Sequence, residues 1–480
     1  MISHLTMSIR TPARATLNIL IGLILAGCAT PTISNNINIL ALEPGKIGNP
    51  SLSGLYLIGG KALDFGNKII CKEDGSCALF GHSFKSFGET TDYFAAIISP
   101  DHQLLWARTY GGTNKDVLRT AIATSDGGYL LLGSSQSLFF TGLKVISPSR
   151  PERPFLLKID GSGIPQWAVT IDIGAEFVFD VIQMHDGNYV LVGGAKNSTS
   201  TALNWDVVVI KLSNSGDQIW ANYYDLGYND VGYGIVEESK GNLVITGYTK
   251  PDVADGDTFV LKLNSNGAPL WSKVYQLEHE QVPLSLLEDE DGSYLLVGNN
   301  KDGRSKKEIF AARVSQDGGL IWFRSYRGAD DGEVISMIKG YHGDFLLVGR
   351  TGNVKDRHQD GAAILINNTG QLKSVVLVNG NTFVDGDANV ELMSASKFSL
   401  ERYLLFGDTE HLKPSDVDMV FMTWNSLNSD LNNSKSGFIQ RDLKIKERET
   451  QVKAMQAQLR HTAIPVSQIE IKTLSVGKLD

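Results

Sequence analysis

Few residues of this chain have types and spacing suited to chemistry, and most of those are carboxylates. Asp385-Gly-Asp387-Ala-Asn389 sets oxygen ligands at alternate positions, like the opening of a loop that wraps calcium. Val390 stands where such a loop needs its glycine. Asp252, Asp255 and Asp257 form a second acidic cluster. Aspartate beside glycine is also the ordinary composition of a turn, so the sequence leaves calcium and plain turns both open, and no other cofactor is implied. Cys71 and Cys77 flank Glu73-Asp74-Gly75. With those three residues as a hairpin loop, the cysteines face each other with Cα atoms about 4.5 Å apart, within disulfide range. The alternative is two buried thiols; a metal pair lacks further ligands. His82, His185 and His342 recur in or beside tight turns, scattered along the chain. There is no nucleophile elbow and no pair of histidines at zinc spacing. A glycosidase needs two converging carboxylates; the 53 acidic residues permit such a pair without pointing to one.

The elements that position these residues are repeats. The clearest copy runs from Asp257-Thr-Phe-Val-Leu-Lys-Leu to Trp271-Ser-Lys-Val-Tyr275, and the same shape appears at 206–224 and 307–326. Worn copies fall at 92–110 and 154–167. The marker tryptophans are Trp106, Trp167, Trp220, Trp271 and Trp322. A second half-unit alternates with this one, as in Asp126-Gly-Gly-Tyr-Leu-Leu-Leu-Gly133. Its closing glycines are Gly81, Gly133, Gly193, Gly247, Gly298, Gly349 and Gly407, spaced 51 to 60 residues apart. Each unit holds four strand-like runs. Three-residue loops ending in glycine join the first two and the last two. The third run is apolar on both faces, as a strand between neighbouring sheets must be. Four short strands repeated about every 50 residues predict an all-β, seven-bladed β-propeller over residues 51–428. The last unit lacks a fourth strand, and Gly54-Leu-Tyr-Leu-Ile-Gly-Gly60 is an orphan one. This N-terminal strand is expected to close the last blade, removing an exposed edge.

Two resemblances follow from these motifs. Arg10 and Arg14 precede an apolar run, Leu17 to Leu25, too short to span a bilayer. Leu25-Ala26-Gly27-Cys28 then resembles the lipobox of bacterial lipoproteins. The resemblance implies that residues 1–27 are a signal peptide and that Cys28 carries acyl chains such as palmitate, each buried methylene contributing about 0.8 kcal/mol to anchoring. Ala29 after the cysteine resembles the sorting signal for the outer membrane. Residues 28–50 read as a tether covering roughly 25 Å. Export to an oxidising compartment also favours the disulfide. The Asp-Gly-Gly-Tyr, Lys-Leu-x-x-x-Gly and Trp-x-x-x-Tyr-Gly-Gly elements resemble the β-propeller repeats common in bacterial secreted and cell-surface proteins. The Trp-bearing strands also resemble those of quinoprotein-like propellers, without the Thr-Gly pair of that group. Such repeats specify a fold more than a function.

Removal of Arg10 and Arg14 leaves 42 basic against 53 acidic side chains, a formal charge of −11. That argues against nucleic acid as a partner. Loops between strands two and three, and between blades, vary in length and share one face. Variable loops on a rigid scaffold are where binding usually resides. Arg304, Lys306, Lys307, Lys355 and Arg357 make one sector of that face basic, and Asp330, Asp331, Asp385 and Asp387 make blade-entry loops acidic. Residues 429–480 form a small α/β extension: a polar linker, a helix over 443–461 with the thin stripe Ile445, Val452, Met455 and Leu459, and a strand over 467–474. The function expected is a lipid-anchored scaffold or binding protein of the cell envelope, more a binder than an enzyme. Its partners would be the membrane, through its lipid, and envelope proteins, with a glycan as a further ligand class. The alternatives are a carbohydrate-active or redox enzyme with its site at the propeller axis, and a surface adhesin.

Overall fold

The strands Thr91–Ile98 and Asp257–Leu263 are buried along their whole length, whereas Pro269–Gln276 mixes buried and half-buried residues with an exposed Leu270. A sheet standing between two others needs the first pattern in its middle and the second at its outer edge. In the computed structural model seven such antiparallel sheets form a ring. The structure describes residues 38–41, 52–59, five strands between 439 and 473, and residues 64–426 apart from 85–89, 113, 138–151, 173–176, 197–204, 251–255, 277–279, 302–306, 328–330, 354–357, 379–388, 400 and 411–416. Blades 1 to 6 span 64–111, 116–172, 177–225, 229–276, 281–327 and 332–378. Blade 7 takes three strands from 389–425, and its fourth is Leu52–Gly59. That strand pairs antiparallel with Val417–Asn425, Leu52 opposite Trp424 and Ile58 opposite Met419. The innermost strand of each blade touches the next, and Asn389–Ser399 touches Asp64–Cys71, which completes the circle.

The repeated Trp and Tyr have a shared task between blades. Tyr110, Tyr224, Tyr275 and Tyr326 are buried, and each hydroxyl donates to a turn glycine of the following blade: Gly163, Gly267, Gly318 and Gly370, at 2.6 to 2.8 Å. The tryptophan of the same strand lies over the same glycine. A Cβ at Gly318 would stand 3.0 Å from the Trp271 ring, and one at Gly370 would stand 2.6 Å from Trp322. These glycines also have φ of +89° and +76°, a conformation that other residues adopt only at a cost. One motif therefore fixes the turn and the packing of neighbouring blades together. His102 occupies the equivalent turn position in blade 1 with φ of 61°, and Glu401 has φ of 59° in the turn between the first two strands of blade 7.

Cys71 and Cys77 stand opposite each other in the first hairpin, with Cα atoms 4.0 Å apart and the sulfurs bonded.

The C-terminal extension departs from expectation. Where a helix was expected over 443–461, the structure has Lys446–Glu449, Lys453–Gln456 and Arg460–Ile464 as strands, with Ile439–Asp442 before and Glu470–Thr473 after. They add a fifth, outermost strand to blades 5, 4, 3, 2 and 1 in turn. Asn38–Ala41 does the same for blade 7. The first four rim strands begin seven residues apart, at 439, 446, 453 and 460. A seven-residue period is also that of a helical stripe. Here it is the step from one blade edge to the next, and the unpaired edges offer backbone hydrogen bonds that a lone helix would not use.

Candidate functional site at the axial mouth

Each innermost strand carries a β-bulge at the same place. The register slips at Asn67, Arg119, Phe179, Tyr233, Leu284, Ile335 and Met393. A bulge bends its strand and re-aims a side chain, and all seven residues line one axial cavity of about 560 Å³. The closing glycines make the bulges sterically feasible. A Cβ on any of the seven would come within 1.8 to 2.2 Å of the facing carbonyl oxygen, for example that of Phe65 at Gly81 and of Val231 at Gly247. The bulge residue lies fourteen positions before its glycine in every blade, from Asn67 and Gly81 to Met393 and Gly407.

One side of the mouth is aromatic. The Arg119 guanidinium carbon sits 4.5 Å from the centre of the Phe179 ring. Phe179 lies 4.4 Å from Tyr233, and Tyr233 lies 5.9 Å from Tyr248. Outward, Phe177 is 6.1 Å from Phe179 and stacks on Trp205 at 5.7 Å and 17°. Lys196 Nζ lies 5.9 Å from the centre of that tryptophan ring. Phe177 is 52% exposed. The result is a ladder of five rings running from the loop-bearing face of blades 3 and 4 to the axis.

The other side is ionic. Glu333 takes Lys307 Nζ and Arg350 Nε, the latter at 2.7 Å, and Arg350 Nη1 reaches Glu391 at 3.1 Å. Burial raises the Glu391 carboxyl, and Arg350 opposes that rise. Deeper, Asp180 accepts from the backbone amides of Val181 (2.9 Å) and Ile235 (3.2 Å). Burial still lifts it to about 6, against the pull of those amides and of Lys68. Lys68 is itself lowered by burial and partly restored by Asp180. His82 stands 3.0 Å from Asn67 Oδ1 and stacks on Phe65. Burial, with Lys115 adding to it, brings His82 down to about 4.

The residues expected from sequence distribute as follows. Lys307 and Asp331 are described, and they belong to the ionic wall: Lys307 is spent on Glu333, and its amide lies 3.2 Å from Asp331 Oδ1. Arg304, Lys306, Lys355, Arg357 and Asp330 lie outside the described residues, as do Cys28, Asp252, Asp255, Asp385 and Asp387. Asn389 accepts from the Gln359 amide at 3.0 Å, and Asp257 accepts from Gln276 at 2.9 Å. His185 and His342 pair with Glu237 and Glu401 at exposed turns. His82, read as a turn residue, lines the axial cavity instead. The bulge residues were not singled out from sequence, although their constant distance from the closing glycines marks them.

No protein-family model matches this chain, and no curated protein matches it in sequence. Among solved structures it is similar to a protein of unknown function from Dyadobacter fermentans, with a TM-score of 0.41 and 11% identity, covering 82% of this chain and 100% of that one. It is similar to the polysaccharide lyase Uly1, with a TM-score of 0.44 and 9% identity over 82% and 98% of the two chains. It is also similar to a Trypanosoma rangeli sialidase, with a TM-score of 0.39 and 10% identity over 82% and 58%. The propeller assignment rests on this chain's own seven sheets.

Proposed function

We propose that this chain is a binding protein of the bacterial cell envelope, anchored by acyl chains on Cys28, that docks a segment of a partner protein across its axial mouth. The observation that carries the reading is the aromatic ladder. The titratable groups of the ionic wall are engaged with one another, whereas the ladder presents an exposed Phe177 and a half-buried Trp205 and Tyr233 beside Arg119. Aromatic rings and arginine dominate the energetics of protein-binding surfaces. Anchoring rests on the order Arg10, Arg14, apolar run and Leu-Ala-Gly-Cys28, and Ala29 supports the outer membrane as location. A second reading, a glycan ligand, is favoured by the exposed Phe177 ring stacked near-parallel on Trp205, since the C–H face of a sugar ring suits an aromatic face.

The test is retention of envelope proteins, and separately of cell-wall and surface glycans, by the immobilised mature protein and by its Phe177→Ala variant. Phe177 is exposed enough that its truncation leaves the fold intact. The reading expects one specific protein, retained by wild type and lost from the variant. Retention of glycan alone selects the second reading, and retention unaffected by the variant refutes the ladder as the site.

A further inference from the structure

The repeats provide internal controls for one cluster that the axial site does not use. Where one blade hands over to the next, three positions converge: the start of the third strand, a residue nineteen further on, and a residue twenty-four further on. Between blades 1 and 2 they are Asp92, Gly111 and Asp116. A Cβ on Gly111 would lie 2.1 Å from Asp92 Oδ1 and 2.7 Å from Asp116 Oδ2, which shows how closely the three meet. Between blades 4 and 5 they are Asp257, Gln276 and Gln281, and the Gln276 amide donates to Asp257 at 2.9 Å. Between blades 5 and 6 they are Glu308, Arg327 and Gly332, and Arg327 pairs with Glu308 at 3.4 Å. In these last two junctions the middle residue brings a donor to the acid.

Between blades 3 and 4 the same positions are Asp206, Asp225 and Asp230, three acids with ligand oxygens all within 4.8 Å of one another. Asp206 and Asp230 are buried, at 2% and 0% exposure. Asp230 Oδ2 accepts from the Leu226 amide at 2.7 Å, and its other oxygen is buried with no hydrogen-bond partner among the described residues. The Thr249 hydroxyl, 2% exposed, sits across the sheet from Asp230 and faces its carboxylate. Mutual repulsion and burial of this kind call for a counter-charge. Neither Asp225 nor Asp230 has a lysine or arginine partner among the described residues.

We propose that Asp206, Asp225 and Asp230 hold a calcium ion between blades 3 and 4. The donors are all hard oxygens, with no thiolate or imidazole, which excludes a zinc-type set. The oxygens all lie within 4.8 Å of one another, close enough for one ion to touch all three, and calcium tolerates irregular carboxylate geometry where magnesium demands a near-ideal octahedron. Asp206 follows Trp205, and Asp230 is the second residue of the strand that carries Tyr233. The ion therefore ties together two strands that present the aromatic ladder.

The experiment uses the mature protein, stripped with EGTA and titrated with calcium chloride or magnesium chloride while thermal unfolding is followed. Calcium at about a hundredfold excess over Kd should raise Tm by about 3 °C, with one ion per chain by calorimetry and a smaller effect of magnesium. Asp225→Asn should abolish the calcium shift while the stripped variant stays at least as stable as stripped wild type, since it loses a repulsive charge. A wild-type Tm indifferent to millimolar calcium, or a full shift retained by Asp225→Asn, overturns the proposal. Lys453 occupies the rim-strand register position opposite Asp225. A calcium-indifferent protein destabilised by Lys453→Ala would assign the counter-charge to that strand and likewise overturn the proposal.

Discussion

Truncating Tyr275 to phenylalanine removes one oxygen from a buried contact between blades 4 and 5. The hydroxyl lies 2.8 Å from the Gly318 carbonyl, and the tyrosine is 3% exposed. A typical hydrogen bond contributes about 1 kcal/mol net, and a buried carbonyl left without its partner costs about 1–3 kcal/mol. A loss of about 1.5 kcal/mol is therefore expected. Gly318→Ala probes the same joint from the other side. It forces an L-residue to φ +89° and sets a Cβ 2.8 Å from Lys273 Cγ and 3.0 Å from the Trp271 ring. Gly127→Ala is the control: its φ is +83°, yet nothing lies within 4 Å of its Cβ position. That variant should cost only the backbone term, about 1 kcal/mol, and Gly318→Ala should cost about 1–2 kcal/mol more. The assay is urea unfolding with m held as a check on the end states. If Tyr275→Phe shifts stability by less than about 0.3 kcal/mol at constant m, or if the two glycine variants cost the same, the account of the Trp–Tyr motif as an interblade staple is wrong.

Other outcomes follow from the same geometry. Glu401 has φ of 59° where most equivalent turns have glycine, so Glu401→Gly should stabilise the protein by about 0.5–1 kcal/mol in the same assay, its exposed pairing with His342 contributing little. His82 is neutral in the folded state down to about pH 4. Its ordinary value is near 6.5, so the stability tied to its neutral form is complete above pH 6.5 and lost as pH falls toward 4. The ring borders the open cavity, which limits the effect to about 1–2 kcal/mol, and His82→Gln should flatten the stability profile in that window. Removal of residues 439–480 uncovers the outer edges of five blades; the truncated protein should show a lower Tm and concentration-dependent association by light scattering, and a monomer of unchanged Tm would deny the rim strands a structural role.

The propeller was legible because its signals are local and repeated. Glycine-ended turns, doubly apolar strands and the Trp-x-x-x-Tyr element recur on a common period, and the orphan strand at 54–60 matched the gap in the last unit. The site was less legible for a geometric reason. Fourteen residues of two-residue alternation do not reveal where a bulge breaks the period. Only the pairing of Gly247 with the Val231 carbonyl shows why Tyr233 turns to the axis. The rim strands were misread because a seven-residue step serves a helix stripe and a blade edge alike. Lys307 looked like free charge because Glu333, which neutralises it, lies 26 residues away and in the next blade. The trio Asp206, Asp225 and Asp230 was invisible for the same reason: its members meet only where two blades adjoin.

The most direct test of the account is to place a photo-reactive residue at Phe177, on the ladder, and another at Leu270, an equally exposed outer-strand position at 51%, and to crosslink in intact cells. The account expects a single envelope protein captured from Phe177 and not from Leu270, with capture reduced at least tenfold when Tyr233 and Arg119 are changed to alanine. Equal capture from both positions, or none from Phe177 in a folded, membrane-associated protein, would contradict the axial mouth as the docking surface.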